Sequence, residues 1–149
     1  METRVLIAPL NWGLGHATRC IPIINDLLAR GIEVVLASDG RALDLLKSEF
    51  PKLKHYALPP WNISYPEKGR YFLWHMFLQS SKVFWAIRNE KKAIAHLVAK
   101  EKITHIISDN RLGALNSNTK NVVLTHQVYL QSPVFSKALN KLNHKYLAK

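Results

Sequence analysis

Asn11-Trp-Gly-Leu-Gly-His16 sets a titratable imidazole at the end of a glycine turn. The turn follows Arg4-Val-Leu-Ile-Ala8, an apolar run that reads as a first β-strand, and it precedes Ala17–Arg30, whose apolar residues recur with helical spacing. Glycines at the carboxyl end of a parallel strand let the backbone approach a ligand without interference from Cβ. The helix that follows offers unpaired N–H groups and a partial positive charge at its amino terminus, a setting for an anion such as a phosphate. A dinucleotide fingerprint has no need of an imidazole in that place. The combination points to chemistry beside a phosphate, with His16 as the group that could take a proton, because imidazole titrates near neutrality. A helix amino terminus also suits a base that must start neutral. The plainer role for His16 is capping or packing.

Read as a dinucleotide motif, the loop would be Gly13-Leu-Gly15-His-Ala-Thr18, with Thr18 where a third small residue should let helix and strand pack closely. Asp39 would be the ribose-binding acid, although it lies further along than the usual ~20 residues. A nicotinamide- or flavin-dependent oxidoreductase domain is therefore the alternative on this motif. Among the other histidines, His55, His75, His96, His105 and His144 show no metal-ligand spacing, and no metal is expected. Cys20 reads as a small buried residue of the first helix.

These residues need elements to place them. Val5–Ala8, Val34–Ala37, His55–Leu58, Thr104–Ser108 and Val122–Thr125 are short, apolar and partly β-branched, as buried parallel strands are. Between them lie Ala17–Arg30, Ala42–Ser48, the long segment Arg70–Lys100 and a short helical piece near Arg111–Asn116. Gly31 should close the first helix, and Asp39-Gly40 should turn the chain into the second. The alternation predicts a doubly wound, Rossmann-like α/β sheet, and the order 3-2-1-4-5 puts the topological switch beside the glycine loop. Pro22 argues for a late start or a kink in the first helix. Pro59, Pro60 and Pro66 mark a loop. Phe135–Ala148 reads as a helix with nothing after it to pack on, either a frayed carboxyl-terminal helix or, as we read it, a cut from a longer chain.

With 149 residues, 48% of them hydrophobic, the chain is expected to be one domain with a real core. One cysteine allows no internal disulfide, and neither a secretory signal nor a membrane-spanning run is evident. The formal charge of +11 is uneven: after Asp109 come Arg111, Lys120, Lys137, Lys141, Lys145 and Lys149 and no acid. Such a surface is either an ordinary lysine-rich solvated face or one that attracts polyanions in general; no nucleic-acid motif accompanies it, so no nucleic-acid partner is expected. A non-enzymatic basic binding module stays among the alternatives. Tyr71-Phe-Leu-Trp-His-Met-Phe-Leu, continued by Phe84-Trp85 and flanked by Lys68, Arg70 and Lys82, is either a core-facing helix stripe or, in part, a patch for an anionic membrane.

Val5-Leu-Ile-Ala-Pro-Leu-Asn-Trp-Gly-Leu-Gly-His-Ala-Thr-Arg, followed by Leu27-Leu-Ala-Arg-Gly-Ile-Glu-Val-Val-Leu-Ala-Ser, resembles the amino-terminal half of a GT-B glycosyltransferase. It is most similar to the family-28 type, which includes the N-acetylglucosaminyltransferase acting on lipid-linked muramyl peptide. Thr104-His-Ile-Ile-Ser-Asp-Asn-Arg-Leu-Gly113 resembles that family's second acceptor loop, and Val122-Val-Leu-Thr-His-Gln127 the strand and polar loop after it. The resemblance runs in order along essentially the whole chain. It implies that residues 1–149 are an acceptor-binding lobe, with the nucleotide-sugar donor held mainly by a carboxyl-terminal lobe that this sequence lacks. It implies inverting transfer to an acceptor hydroxyl, lipid-linked or phosphorylated, with His16 as base and without a cofactor. Asp109 either orients His16 or caps the short helix after it. Asn11, Trp12, Gly13, Leu14, Gly15, Thr18, Asn110, Arg111, His126 and Gln127 become acceptor-binding candidates, with a structural hydrogen bond as the alternative for the last four. Asn11-Trp12 stand where muramyl transferases carry small residues, which departs from that acceptor. The expected location is cytoplasmic or peripheral at the inner face of the membrane. A sugar-nucleotide 2-epimerase lobe shares this fold and is a further alternative.

Overall fold

The computed structural model describes residues 2–60 and 72–125, the side chains of 72–83 excepted. The elements run β1 (Arg4–Pro9), α1 (Gly15–Ala29), β2 (Glu33–Ser38), α2 (Gly40–Glu49), β3 (Lys54–Ala57), α3 (Phe72–Glu101), β4 (His105–Asp109) and β5 (Lys120–Leu124). All four strand pairings are parallel, and the sheet order is β3-β2-β1-β4-β5. This is the doubly wound order expected from the sequence. The chain moves outward from β1 through β2 to β3, then returns to the other side of β1 as β4. Successive crossovers therefore diverge at β1 and β4, and the carboxyl ends of those two strands are where open sheets of this order form their ligand crevice.

Both faces of the sheet are covered, which is why β1 and β2 are nearly continuous in apolar residues rather than alternating. The two-residue period still sorts them. Val5, Ile7, Val34 and Leu36 pack against Ala17, Cys20 and Ile24 of α1 and Ala42 and Leu46 of α2. Leu6, Ala8, Val35, Ala37 and Ile106 point the other way, onto Ile94, Leu97 and Val98 of α3. Over its described side chains, α3 buries Glu90, Ile94, Leu97, Val98 and Glu101, one continuous helical stripe. A glutamate stands at each end of that stripe, and each has found cationic partners.

Several local expectations are met or corrected. Gly31 adopts φ 71°; its N–H and that of Ile32 return to the carbonyls of Leu28 and Leu27, the paired bonds of a Schellman ending. The helix α1 begins at Gly15 and continues past Pro22, so the late start does not occur. Pro22 and Thr18 both lie on its exposed side, where the carbonyl that Pro22 cannot serve is open to water. The short helix near Arg111–Asn116 does not form. Instead Ala114 N–H bonds the Arg111 carbonyl, and the Asn116 side chain accepts from Asn118 N–H at 2.8 Å. Asn121 adds bonds from its amide to the carbonyls of Asn116 and Thr119. Asn and Thr side chains that bond nearby backbone offer the chain an alternative to helix, and here the alternative wins.

The helix expected at 135–148, the residues His126 and Gln127, and Pro66, Lys68 and Arg70 lie outside the described residues. So do the side chains of the aromatic segment from Tyr71 to Lys82. No described helix is long and apolar enough to cross a membrane.

Candidate functional site

Four segments build the rim of the crevice. The loop after β1 carries residues 10–14, α1 begins at Gly15, α2 begins beside it at Gly40, and the loop after β4 starts at Asn110. Gly13 has φ 73°, a left-handed conformation that glycine adopts without a Cβ penalty, and nothing lies within 4 Å of where its Cβ would stand. Gly15 is equally open. The amino terminus of α1 has no side-chain cap, its Ncap being Leu14. Thr18, one turn on, returns its hydroxyl to the Gly15 carbonyl at 3.1 Å. Trp12 and Leu14 expose apolar side chains beside this loop, with relative exposures of 49% and 37%.

Below the loop, His16 is buried against Asp109. Its Nδ1 lies 3.1 Å from Asp109 Oδ1, and the Asp109 side chain is fully enclosed. The pairing follows from the sheet. Pro9 and Asp109 are register partners at the carboxyl ends of β1 and β4, and the Leu10 N–H donates to the Asp109 carbonyl at 3.0 Å. The first turn of α1 therefore starts directly over the end of β4. Asp109 does not cap a following helix, since none forms there.

Arg19 completes the cluster, and nothing in the sequence reading singled it out. Its Nε donates to Asp109 Oδ2 and its Nη2 to Oδ1, both at 3.1 Å, a two-pronged grip on one buried carboxylate. The same Nη2 is 2.9 Å from His16 Nδ1. The spacing was available as a signal: three residues after His16 is one helical turn, so both side chains lean over one face. Cys20 adjoins the cluster on the inner side. Burial, aided by the charge on Asp109 and opposed by Arg19, pushes its thiol up to about 12.

The remaining candidates divide. Asn110 sits at φ 54°, a left-handed position that asparagine tolerates, and its N–H bonds the Leu124 carbonyl at 3.0 Å. Asn11 bridges the β1 loop to α2. Its Oδ1 accepts from Ala42 N–H at 3.2 Å, and its Nδ2 lies 3.3 Å from Asp39 Oδ2. Gly40, at φ 48°, leaves the room that the Asn11 amide occupies. Both tie the rim together.

Arg111 turns inward rather than towards the crevice. Its side chain is fully buried, pairing with Glu90 through Nε and with Asp39 through Nη1 at 2.6 Å. Its Nη2 donates to the Pro59 carbonyl at 3.0 Å. Glu90 also accepts the Gly113 N–H at 3.1 Å. Asp39, the acid a dinucleotide reading requires for ribose, is thus taken up by Arg111 and Asn11. Glu90 too went unremarked in the sequence, although an acid on the buried stripe of a helix calls for a cationic partner. Among the described residues no three His, Cys, Asp or Glu side chains gather as a metal-binding group.

No protein family and no curated protein matches this chain. Solved structures match it in shape. SsfS6, a glycosyltransferase of Streptomyces sp. SF2575, superposes with a TM-score of 0.60 at 16% identity, over 99% of this chain and 44% of that one. The glycosyltransferase VinC, solved in complex with DTDP, gives 0.60 at 15% identity over 97% of this chain and 38% of its own. A glycosyltransferase from Rickettsia africae ESF-5 gives 0.59 at 18% identity, over 97% and 35%. The chain shares with them the fold of a Rossmann-like α/β lobe. The chain spans less than half the length of each of these proteins. In the lobe, the His16–Asp109 pair stands at the topological switch between β1 and β4.

Proposed function

We propose that this chain is the acceptor-binding lobe of an inverting glycosyltransferase, and that His16 is the general base that deprotonates the acceptor hydroxyl. The observation that carries the reading is the enclosed Asp109 carboxylate 3.1 Å from His16 Nδ1, beneath an open glycine loop at the sheet's switch point. A carboxylate at Nδ1 orients the ring and stabilises the imidazolium that forms when Nε2 takes a proton. The acceptor oxygen then attacks the anomeric carbon in line, the bond to the nucleotide diphosphate breaks, and inversion follows. Trp12 and Leu14 supply an apolar rim on which an acceptor can lie, and the uncapped start of α1 offers N–H donors to an anionic group. The donor's diphosphate belongs to a second lobe, as the length of the structural neighbours supports. One of them, SsfS6, was also solved with thymidine diphosphate.

The test is His16→Ala in the longer protein that carries this lobe. Loss of base assistance should lower kcat by about 10²- to 10⁴-fold with donor affinity unchanged. An unchanged kcat, with chemistry shown to be rate-limiting, would remove His16 from the reaction. A calorimetric titration of this chain with uridine, guanosine and thymidine sugar nucleotides tests the assignment of lobes. We expect no tight binding; micromolar affinity would put the donor site here. NAD, NADP and FAD in the same series test the oxidoreductase alternative, which the engagement of Asp39 with Arg111 disfavours.

A further inference from the structure

We infer that Arg19 is a positioning residue that holds His16 in the tautomer unable to act as base, so that the pair is at rest while Arg19 grips Asp109. Guanidinium nitrogens only donate hydrogen bonds. The 2.9 Å contact between Arg19 Nη2 and His16 Nδ1 is therefore a hydrogen bond only when Nδ1 carries no proton. In a neutral ring the proton then sits on Nε2. Were Nδ1 protonated and aimed at Asp109 Oδ1, 3.1 Å away, it would face the Arg19 N–H across that short contact. The three atoms Nδ1, Oδ1 and Nη2 close a triangle with sides of 2.9, 3.1 and 3.1 Å. One Nη2 hydrogen goes to the carboxylate and the other to the ring. In this arrangement both Nη2 hydrogens have an acceptor within the triangle.

The inference rests on the proposed base role for its catalytic meaning, since a base at Nε2 needs that nitrogen bare. Arg19 can let go. Its side chain is 42% exposed, while Asp109 is sealed, so the guanidinium is the mobile partner. Once it leaves, Asp109 Oδ1 accepts a proton-bearing Nδ1. The ring gives up the Nε2 proton to water and takes one at Nδ1, with no change of charge. The bare Nε2 can then receive the acceptor hydroxyl's proton. Arg19 thus couples the state of the base to whatever draws the guanidinium away.

Nitrogen-15 NMR of the His16 ring in this chain, recorded at about pH 8 where an ordinary imidazole is neutral, reads the tautomer directly. We expect the proton on Nε2 in the native chain and on Nδ1 in Arg19→Met, with Arg19→Ala as a second, smaller replacement. A native ring already protonated at Nδ1, or a tautomer unmoved in both variants, would overturn the inference. A purely structural Arg19 would alter stability and leave the tautomer alone. The measurement needs no substrate, so it stands apart from the kinetic test of His16. If the ring switches while His16→Ala keeps full activity, the base role falls and the tautomer assignment survives.

Discussion

The carboxylate of Glu90 occupies the space that a side chain at position 113 would need. A Cβ built on Gly113 would stand 2.8 Å from Glu90 Cβ and Cδ, and nearer still to Oε2. Glu90 cannot swing aside, because its two oxygens hold Arg111 Nε and Gly113 N–H. Replacing glycine by alanine at a permissive site stabilises by about 0.4–1 kcal/mol through the unfolded chain. Here overpacking reverses the sign. Gly113→Ala should destabilise by about 1–3 kcal/mol, read as a lower urea midpoint with an unchanged slope. A midpoint that stays or rises would show that Glu90 yields.

Arg111→Met should cost more. It removes the cation between two enclosed carboxylates, Glu90 and Asp39, and leaving a buried charge without its partner typically costs about 3–5 kcal/mol. The double variant Arg111→Met with Glu90→Leu should lose less than the sum of the two single losses, since neither charge is then stranded opposite the other. Strict additivity in chemical denaturation would mean that the two side chains do not interact as described.

Acid should loosen the opposite end of the sheet. Hydrogen bonds from Lys54, at 2.7 Å, and from Tyr56 hold the Glu101 carboxyl below its usual range. A lowered folded pKa means that this carboxylate stabilises the native state above the ordinary glutamate value of about 4.3. The contribution is lost as pH falls below that value and through the folded pKa. Glu101→Gln should flatten the dependence of unfolding free energy on pH below about pH 4. An acid limb with the same slope in the variant would assign the effect to other carboxyls.

Cys20 should be silent toward thiol reagents in the native state. Its thiol is fully buried and titrates near 12, so at neutral pH almost none of it is thiolate. Labelling by a maleimide should proceed at the rate of opening of the lobe and accelerate in Arg111→Met. Rapid labelling of the intact native chain would contradict the packing of α1 on the sheet.

Much of the scaffold is legible in the residues. Five short apolar runs separated by helical spacing are enough to indicate parallel strands, and the glycine loop after the first of them points to the switch between β1 and β4. Gly31 declares its own helix ending. The site is harder to read, because its bonds cross long stretches of chain. Asp109 can be paired with His16 only once the register of β1 with β4 is known, and Arg19 reaches the same carboxylate across 90 residues. Arg111 stands in the predicted acceptor loop with the charge an anion would want. Its orientation is decided by Glu90 and Asp39, 21 and 72 residues away, which no local pattern reveals. The missing helix after β4 is a different matter: its Asn and Thr residues carry the competing backbone bonds in plain view.

The Arg111 cluster also bears on the order in which the lobe assembles. Its partners come from the end of β1, the start of α2, the loop at Pro59 and the middle of α3. No subset of neighbouring segments can satisfy that guanidinium. Docking it is worthwhile only after the strands and helices are in place, on the far side of the folding barrier. Substitutions there should thus leave the folding rate nearly untouched and act almost wholly on unfolding, which makes this buried ion cluster the late-closing lock on how long the native lobe persists.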